Sequence, residues 1–73
     1  MGRMAQINPA RMLRALGRSG FVLHRQSGSH AVLIKAGQPP VTVPVHTGTL
    51  KQGTARAILR QACVDEEDFF AVY

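Results

Sequence analysis

Residues 25–30, with the sequence RQSGSH, form a polar segment between two apolar, strand-like runs, FVLH at 21–24 and AVLI at 31–34. A short polar segment with a central Gly between such runs predicts a β-hairpin. The segment ends in His30, so an imidazole is expected where a sheet meets a solvated turn. Because imidazole changes protonation state near neutral pH, this histidine is a candidate for proton transfer. Most exposed histidines have no such role, and the tip alone does not establish catalysis.

Charge is divided unevenly along the chain. All nine Lys and Arg residues lie between Arg3 and Arg60, and the four acidic residues are consecutive at 65–68, so residues 1–64 carry nine positive charges and no negative one. Such a basic body favours a polyanionic partner. Nucleic acid is favoured over membrane, because no segment combines a basic face with large aromatic anchors. The alternative is a merely solvated basic surface.

The 73 residues are interpreted as one domain with a small core. No apolar run approaches the ~18 residues that a membrane span needs, and no leader of secretory type is recognised. The single cysteine, Cys63, has no partner for an internal disulfide and lacks the spacing of a zinc site. A cytoplasmic protein without membrane contact is therefore expected.

The first helix is predicted between Asn8, a good N-cap followed by proline, and Gly20, a left-handed cap. At ~100° per residue, Arg11, Arg14 and Arg18 lie opposite the apolar face. These arginines either contact phosphate or are solvated. Residues 1–6, before the helix, are expected to form a loose end.

Three strands and two further helices are predicted after it. The strands are expected at 21–25, 31–35 and 41–46, the second helix at 52–62 with Ala55, Ile58, Leu59 and Ala62 buried, and a short third helix after the N-cap Asp65. Strict alternation places Leu23 and Arg25 on the same side of the first strand, and Pro44 places the third strand at an edge of the sheet.

The fold class is thus α+β, with two layers in the order α-β-β-β-α, a short C-terminal helix and a three-stranded antiparallel sheet. Its open face could be covered by a partner protein.

Three stretches together resemble one family: Gly20 and Phe21 followed by residues 25–30; VTVPVH at 41–46; and LKQGTARAILRQA at 50–62. In this order they resemble the HicA (YcfA-like) mRNA interferase toxins of type II toxin–antitoxin pairs. The resemblance implies a single HicA-like domain over residues 1–73, with a fold like the double-stranded RNA-binding domain. It also implies endoribonuclease activity on single-stranded mRNA and a HicB-type antitoxin that blocks the active site.

By the same resemblance the catalytic histidine is His30, and Gly28 and Ser29 are the small turn residues that support it. Three features depart from the family pattern, and one is the turn at residues 38–40, which is QPP and not the usual Asp-Gly type. Cys63 stands where the family usually has Gly after the second helix, which bears on the stability of that cap. Ser27 replaces a frequent basic residue, which bears on RNA affinity at the tip.

RNA carries its own nucleophile, the ribose 2′-OH, so the enzyme must supply acid–base groups and positive charge. His30 is the hypothesised general base or acid. Arg25 and Lys35, expected to flank the tip, could bind phosphate oxygens, and Lys51 could bind a phosphate together with helix N–H groups. The alternative for all three is a solvated strand or helix end. No metal or other cofactor is expected, because a magnesium nuclease normally uses carboxylate ligands and none precedes Asp65.

Two other functions stay open. One is a non-catalytic double-stranded RNA-binding module that uses Lys51 and the arginine faces for backbone contacts. The other is a structural subunit whose open sheet face builds an assembly. His46 is interpreted as a turn-stabilising residue rather than a second catalyst, and His24 is given no role.

Overall fold

The structure, a computed structural model, describes residues 3–46 and 48–73. A 3-10 helix, Arg3–Gln6, precedes the main elements, which are α1 (Pro9–Arg18), β1 (Val22–Ser27), β2 (His30–Ile34), β3 (Val41–Pro44), α2 (Gln52–Ala62) and α3 (Glu66–Val72). The strands form one antiparallel sheet in the order β1-β2-β3. The predicted α+β fold class is confirmed.

Helix α1 begins where its capping residues place it. The Asn8 side-chain oxygen accepts a hydrogen bond from the Arg11 N–H at 3.1 Å, and Pro9 occupies the first turn. The helix ends at Arg18 with Ser19 as its C-cap, and Gly20, with φ of +103°, redirects the chain into β1. Both predicted ends are confirmed.

The segment before α1 is not a loose end. Residues 1 and 2, which the prediction included, lie outside the described residues. Met4, in the 3-10 helix, is fully buried. Ile7 is also buried and forms an isolated β-bridge with Leu50, whose N–H donates to the Ile7 carbonyl at 2.8 Å. This bridge ties the start of the chain to the start of α2. The segment is too short to show helical or strand periodicity, which is why the sequence did not predict it.

The sheet has a covered face and an open face. Residues paired directly across antiparallel strands point to the same side. The helices cover the side whose buried residues on β2 and β3 are Ala31, Leu33, Val41 and Val43. The alternate residues on β2, which are His30, Val32 and Ile34, belong to the open face.

A β-bulge changes the predicted face of Arg25. The register shifts between Leu23 and Arg25, so His24 is an additional residue in β1. Leu23 pairs with Leu33 on the covered side, whereas Arg25 pairs with Val32 on the open side. The expectation that Leu23 and Arg25 share a side is therefore wrong, because one inserted residue moves the side chains that follow it to the opposite face of the sheet.

Helix α2 has the predicted bounds, Gln52–Ala62, and the predicted buried stripe. It is followed by Cys63 in the left-handed conformation (φ 57°, ψ 37°), the one non-glycine residue with positive φ in the described part of the chain. Helix α3 is N-capped as predicted, since an Asp65 side-chain oxygen accepts from the Asp68 N–H at 2.9 Å. Phe69 is fully buried and Phe70 packs against the core, so the predicted docking of α3 is confirmed. No helix within residues 3–46 and 48–73 is long and apolar enough to span a membrane.

Candidate functional site

The hairpin tip is a two-residue turn, Gly28 and Ser29, between β1 and β2. Gly28 has φ of +58°, a conformation that glycine adopts without strain and that a two-residue hairpin turn requires at this position. The turn is also held by β3's continuation, because the Val45 N–H donates to the Ser29 carbonyl. The hydrogen bond from Val45 therefore holds the turn of Gly28 and Ser29, the supporting turn predicted from the sequence, on the side next to β3.

His30 is the first residue of the central strand, β2. Its backbone pairs with Ser27 on β1 and with Pro44 on β3, so neighbouring strands hold it on both sides. Its side chain belongs to the open face and is exposed. The imidazole makes no hydrogen bond to any residue that the structure describes. A rigid backbone and an accessible ring are what a proton-transfer group needs.

Arg25 is brought beside His30 by the bulge. Arg25 pairs with Val32 and His30 pairs with Ser27, which makes Arg25 and His30 diagonal neighbours on the open face. Such neighbours are typically about 7–8 Å apart, within reach of a long side chain. Arg25 is exposed, and it forms no ion pair with the residues that the structure describes. A phosphate bound at His30 would therefore lie within reach of a guanidinium.

Lys35 is not at the tip. It follows the far end of β2, about 16 Å from His30 at the usual strand rise of about 3.3 Å per residue. Its ammonium donates to the Ser19 carbonyl at 3.0 Å and lies 5.6 Å from the centre of the Phe21 ring. The expectation that Lys35 flanks the tip is wrong, because the strand carries it away from the turn.

Lys51 is the N-cap residue of α2 and is exposed. Its side chain forms no capping hydrogen bond. As the N-cap of α2, Lys51 belongs to the helix layer and not to the sheet that carries His30. The structure thus brings Arg25 to His30 on the open face and leaves Lys51 as a separate positive charge.

The arginine face of α1 has an unpredicted role within the molecule. Arg11 donates to the main-chain oxygen of Tyr73 at 2.9 Å and stacks 4.0 Å from the centre of that ring, and Arg18 donates to the Val72 carbonyl at 2.7 Å. The Tyr73 hydroxyl in turn accepts from the Asn8 N–H at 2.8 Å. Cations at the carbonyl end of a helix are stabilising. Arg11 and Arg18 therefore hold α3 in place, and the sequence carried no pairing signal for this across more than 50 residues.

A groove of about 280 Å³ lies between α2 and α3. The residues that line it include positively and negatively charged side chains. Two of them, Arg56 and Glu66, are half-exposed and form an ion pair in which Nε and Oε2 are 3.6 Å apart. Exposed ion pairs of this kind contribute about 0–1 kcal/mol. Within residues 3–46 and 48–73, no three His, Cys, Asp or Glu residues cluster as ligands for a metal ion.

The open face also carries an apolar patch. Val22 and Ile34 pair with each other across β1 and β2 and are 63% and 39% exposed. Val32, between Ile34 and His30 on this face, is half-buried. Adjacent exposed apolar side chains beside a polar site are typical of a surface that a partner covers.

Comparison with known proteins supports the sequence resemblance. The model of the family described as the HicA toxin of bacterial toxin–antitoxin systems matches residues 10–64, which include the hairpin, His30 and α2 but not α3. Comparison with curated proteins gives no match. Since the family model covers most of the chain, the protein belongs to the HicA toxin family and is the toxin of a toxin–antitoxin pair, which implies an antitoxin as its partner.

Proposed function

We propose that this toxin is a metal-independent endoribonuclease that cleaves single-stranded mRNA, with His30 as the catalytic histidine. The observation that carries the proposal is the placement of His30. It is exposed on the open sheet face, fixed by strand pairing on both sides and diagonal to Arg25. Membership of the HicA family supports the same activity.

The chemistry is a transesterification within the RNA. His30 removes the proton of a ribose 2′-OH, the 2′-oxygen attacks the adjacent phosphorus, and the bond from phosphorus to the 5′-oxygen breaks. The products are a 2′,3′-cyclic phosphate and a free 5′-OH. Arg25 stabilises the charge that develops on the phosphorus oxygens. No metal is needed, since the substrate provides the nucleophile and the protein provides the base and the positive charge.

An unpaired RNA strand suits this site. The 2′-oxygen must come into line with the leaving 5′-oxygen, and an A-form duplex holds the ribose away from that geometry, whereas a single strand can adopt it. Positioned acid–base catalysis contributes about 10²–10⁴-fold. A modest rate of this kind is enough for growth arrest by mRNA cleavage in the cytoplasm.

The antitoxin is proposed to be of the HicB type and to cover the open face. The apolar patch of Val22 and Ile34 lies on the same face as His30, so one partner could bury both. The toxin surface around them carries arginine and histidine and no carboxylate, because every acidic residue lies at 65–68. The complementary partner is apolar at its centre and acidic at its rim.

His30→Ala tests the proposal, with His24→Ala as the matched control, since His24 is also an exposed histidine and lies on the neighbouring strand. Cleavage of a labelled single-stranded RNA is measured in excess chelator, together with growth on induction. His30→Ala should slow cleavage at least ~100-fold and restore growth, because the base is lost. Its far-ultraviolet circular dichroism should stay unchanged, since the side chain is exposed.

Three results would contradict the proposal: wild-type cleavage by His30→Ala, a requirement for added Mg²⁺, and an equal loss in the His24→Ala control. Tight binding of double-stranded RNA without any cleavage would favour the non-catalytic module instead, with steep dependence of binding on salt.

A further inference from the structure

We propose that His46 is a second catalytic residue, which donates the proton that the leaving 5′-oxygen needs. This inference rests on the proposed ribonuclease activity and adds to it. The sequence interpretation gave His46 a turn-stabilising role, but the register of the sheet gives it a position that the sequence alone did not reveal.

Strand pairing brings His46 to His30. His30 pairs with Pro44, and the next contact along the two strands is the hydrogen bond from Val45 N–H to the Ser29 carbonyl. Val45 packs partly against the core, so the alternation of β3 continues to this residue. The following residue, His46, is exposed, and alternation directs it to the open face.

The two imidazoles therefore lie on either side of a phosphate-sized gap. His46 lies two residues beyond Pro44, the partner of His30, so on the continuation of β3 it takes the diagonal position that Arg25 takes on β1; such neighbours are typically about 7–8 Å apart. Arg25, His30 and His46 form a diagonal line over the three strands. A phosphodiester held between the two imidazoles would have His30 as the base on one side and His46 as the acid on the other, with the Arg25 guanidinium reaching in from beyond His30.

Transesterification needs two proton transfers, and the hairpin offers few groups that perform them. The 2′-OH loses one proton to His30, and when the bond from phosphorus to the 5′-oxygen breaks, that oxygen takes one proton from the imidazolium of His46. No carboxylate precedes Asp65 in the sequence, and arginine holds its proton too firmly to donate it at neutral pH. Histidine is the side chain suited to both transfers.

A change of leaving group tests this role. The bond that the wild-type protein cleaves is first located in an unmodified RNA, and the same RNA is then made with sulfur in place of the bridging 5′-oxygen at that bond. A thiolate leaves without prior protonation far more readily than an alkoxide. His46→Ala should therefore lose about 100-fold on the oxygen substrate and less than about tenfold on the sulfur substrate. His30→Ala should lose about 100-fold on both, because its step is unchanged.

His46→Gln separates proton donation from positioning, since an amide keeps a hydrogen bond but cannot act as the acid. Two results support the proposal. His46→Gln loses as much cleavage rate as His46→Ala on the oxygen substrate, and both variants recover on the sulfur substrate. Equal losses on the two substrates, restored activity in His46→Gln, or wild-type rates in both variants overturn it. Absence of cleavage by the wild-type protein would overturn the proposed function itself, and a collapse of the helical signal in both variants would assign His46 a structural role.

Discussion

The two edge strands of the sheet are built in opposite ways. On β3, Val41 and Val43 are fully buried, and both α1 and α2 pack against the strand. On β1, all six residues are exposed, including Val22 at 63% and Leu23 at 51%. One edge therefore belongs to the core, and the other extends beyond it.

This difference separates the part of the sheet that stabilises the fold from the part that carries the proposed site. The buried side chains of β3, Val41 and Val43, cannot change without disturbing the helix layer, whereas β1 and the tip can present Arg25 and His30 to a partner at little cost to the fold. An exposed edge invites pairing with other chains. The bulge at His24 interrupts the ladder of β1, and Pro44, which has no N–H, ends β3, so neither edge offers a long regular template.

The largest expected effect concerns the partner surface of β1. Val22→Glu should weaken binding of the antitoxin by roughly 30- to 150-fold, about 2–3 kcal/mol, because it places a charge in the apolar centre of the proposed interface. The affinity for the antitoxin is measured by calorimetry. Gln61→Glu, which introduces the same residue on the exposed face of α2, should leave the affinity unchanged. Equal affinities for both variants would place the antitoxin elsewhere.

A single substitution made on both edges sharpens the comparison further. Val41→Thr should lower the free energy of unfolding by about 1.5 kcal/mol, because a buried hydroxyl replaces a methyl group of the same size. Val22→Thr should change it by less than about 0.5 kcal/mol, since that side chain is already in water. Urea denaturation measures both. Similar losses for the two variants would show that β1 is more integrated into the core than its exposure indicates.

The smallest effect is a gain in stability on the helix side. Cys63 holds a left-handed conformation that glycine adopts without strain, so Cys63→Gly should stabilise the fold by about 0.5–1 kcal/mol. Amide hydrogen exchange should slow in α2 and stay unchanged in β1 if the hairpin opens independently. A uniform slowing across both would mean that the two edges unfold as one unit.

Sequence periodicity predicted the helix layer better than the hairpin. The bounds and buried stripe of α2 follow from a regular 3.6-residue pattern, and the start of α1 from its cap. The side of the sheet on which Arg25 lies could not be predicted, because a bulge adds one residue to the strand without a recognisable change in the local hydrophobic pattern. Lys35 was placed at the tip because its strand is adjacent to the turn in sequence, although the strand runs away from it.

Contacts between distant segments were the least predictable. The binding of Arg11 and Arg18 to the end of α3 joins residues more than 50 positions apart, and an amphipathic pattern identifies only which arginines are outside the core. The same limit applies to His46, whose position relative to His30 depends on the register between two strands. The residues of the candidate site could be named from the sequence, but their grouping could not.

Tyr73 is the single tyrosine of a chain without tryptophan, and its ring lies 4.0 Å from the Arg11 guanidinium while its hydroxyl accepts from the Asn8 N–H. The protein thus contains its own optical probe at the junction of its first and last helices. Because this phenol is in the helix layer and not on the hairpin, its emission should report detachment of the C-terminal helix and stay silent when a ligand occupies the opposite face. Unfolding and binding could then be followed separately in one unlabelled sample.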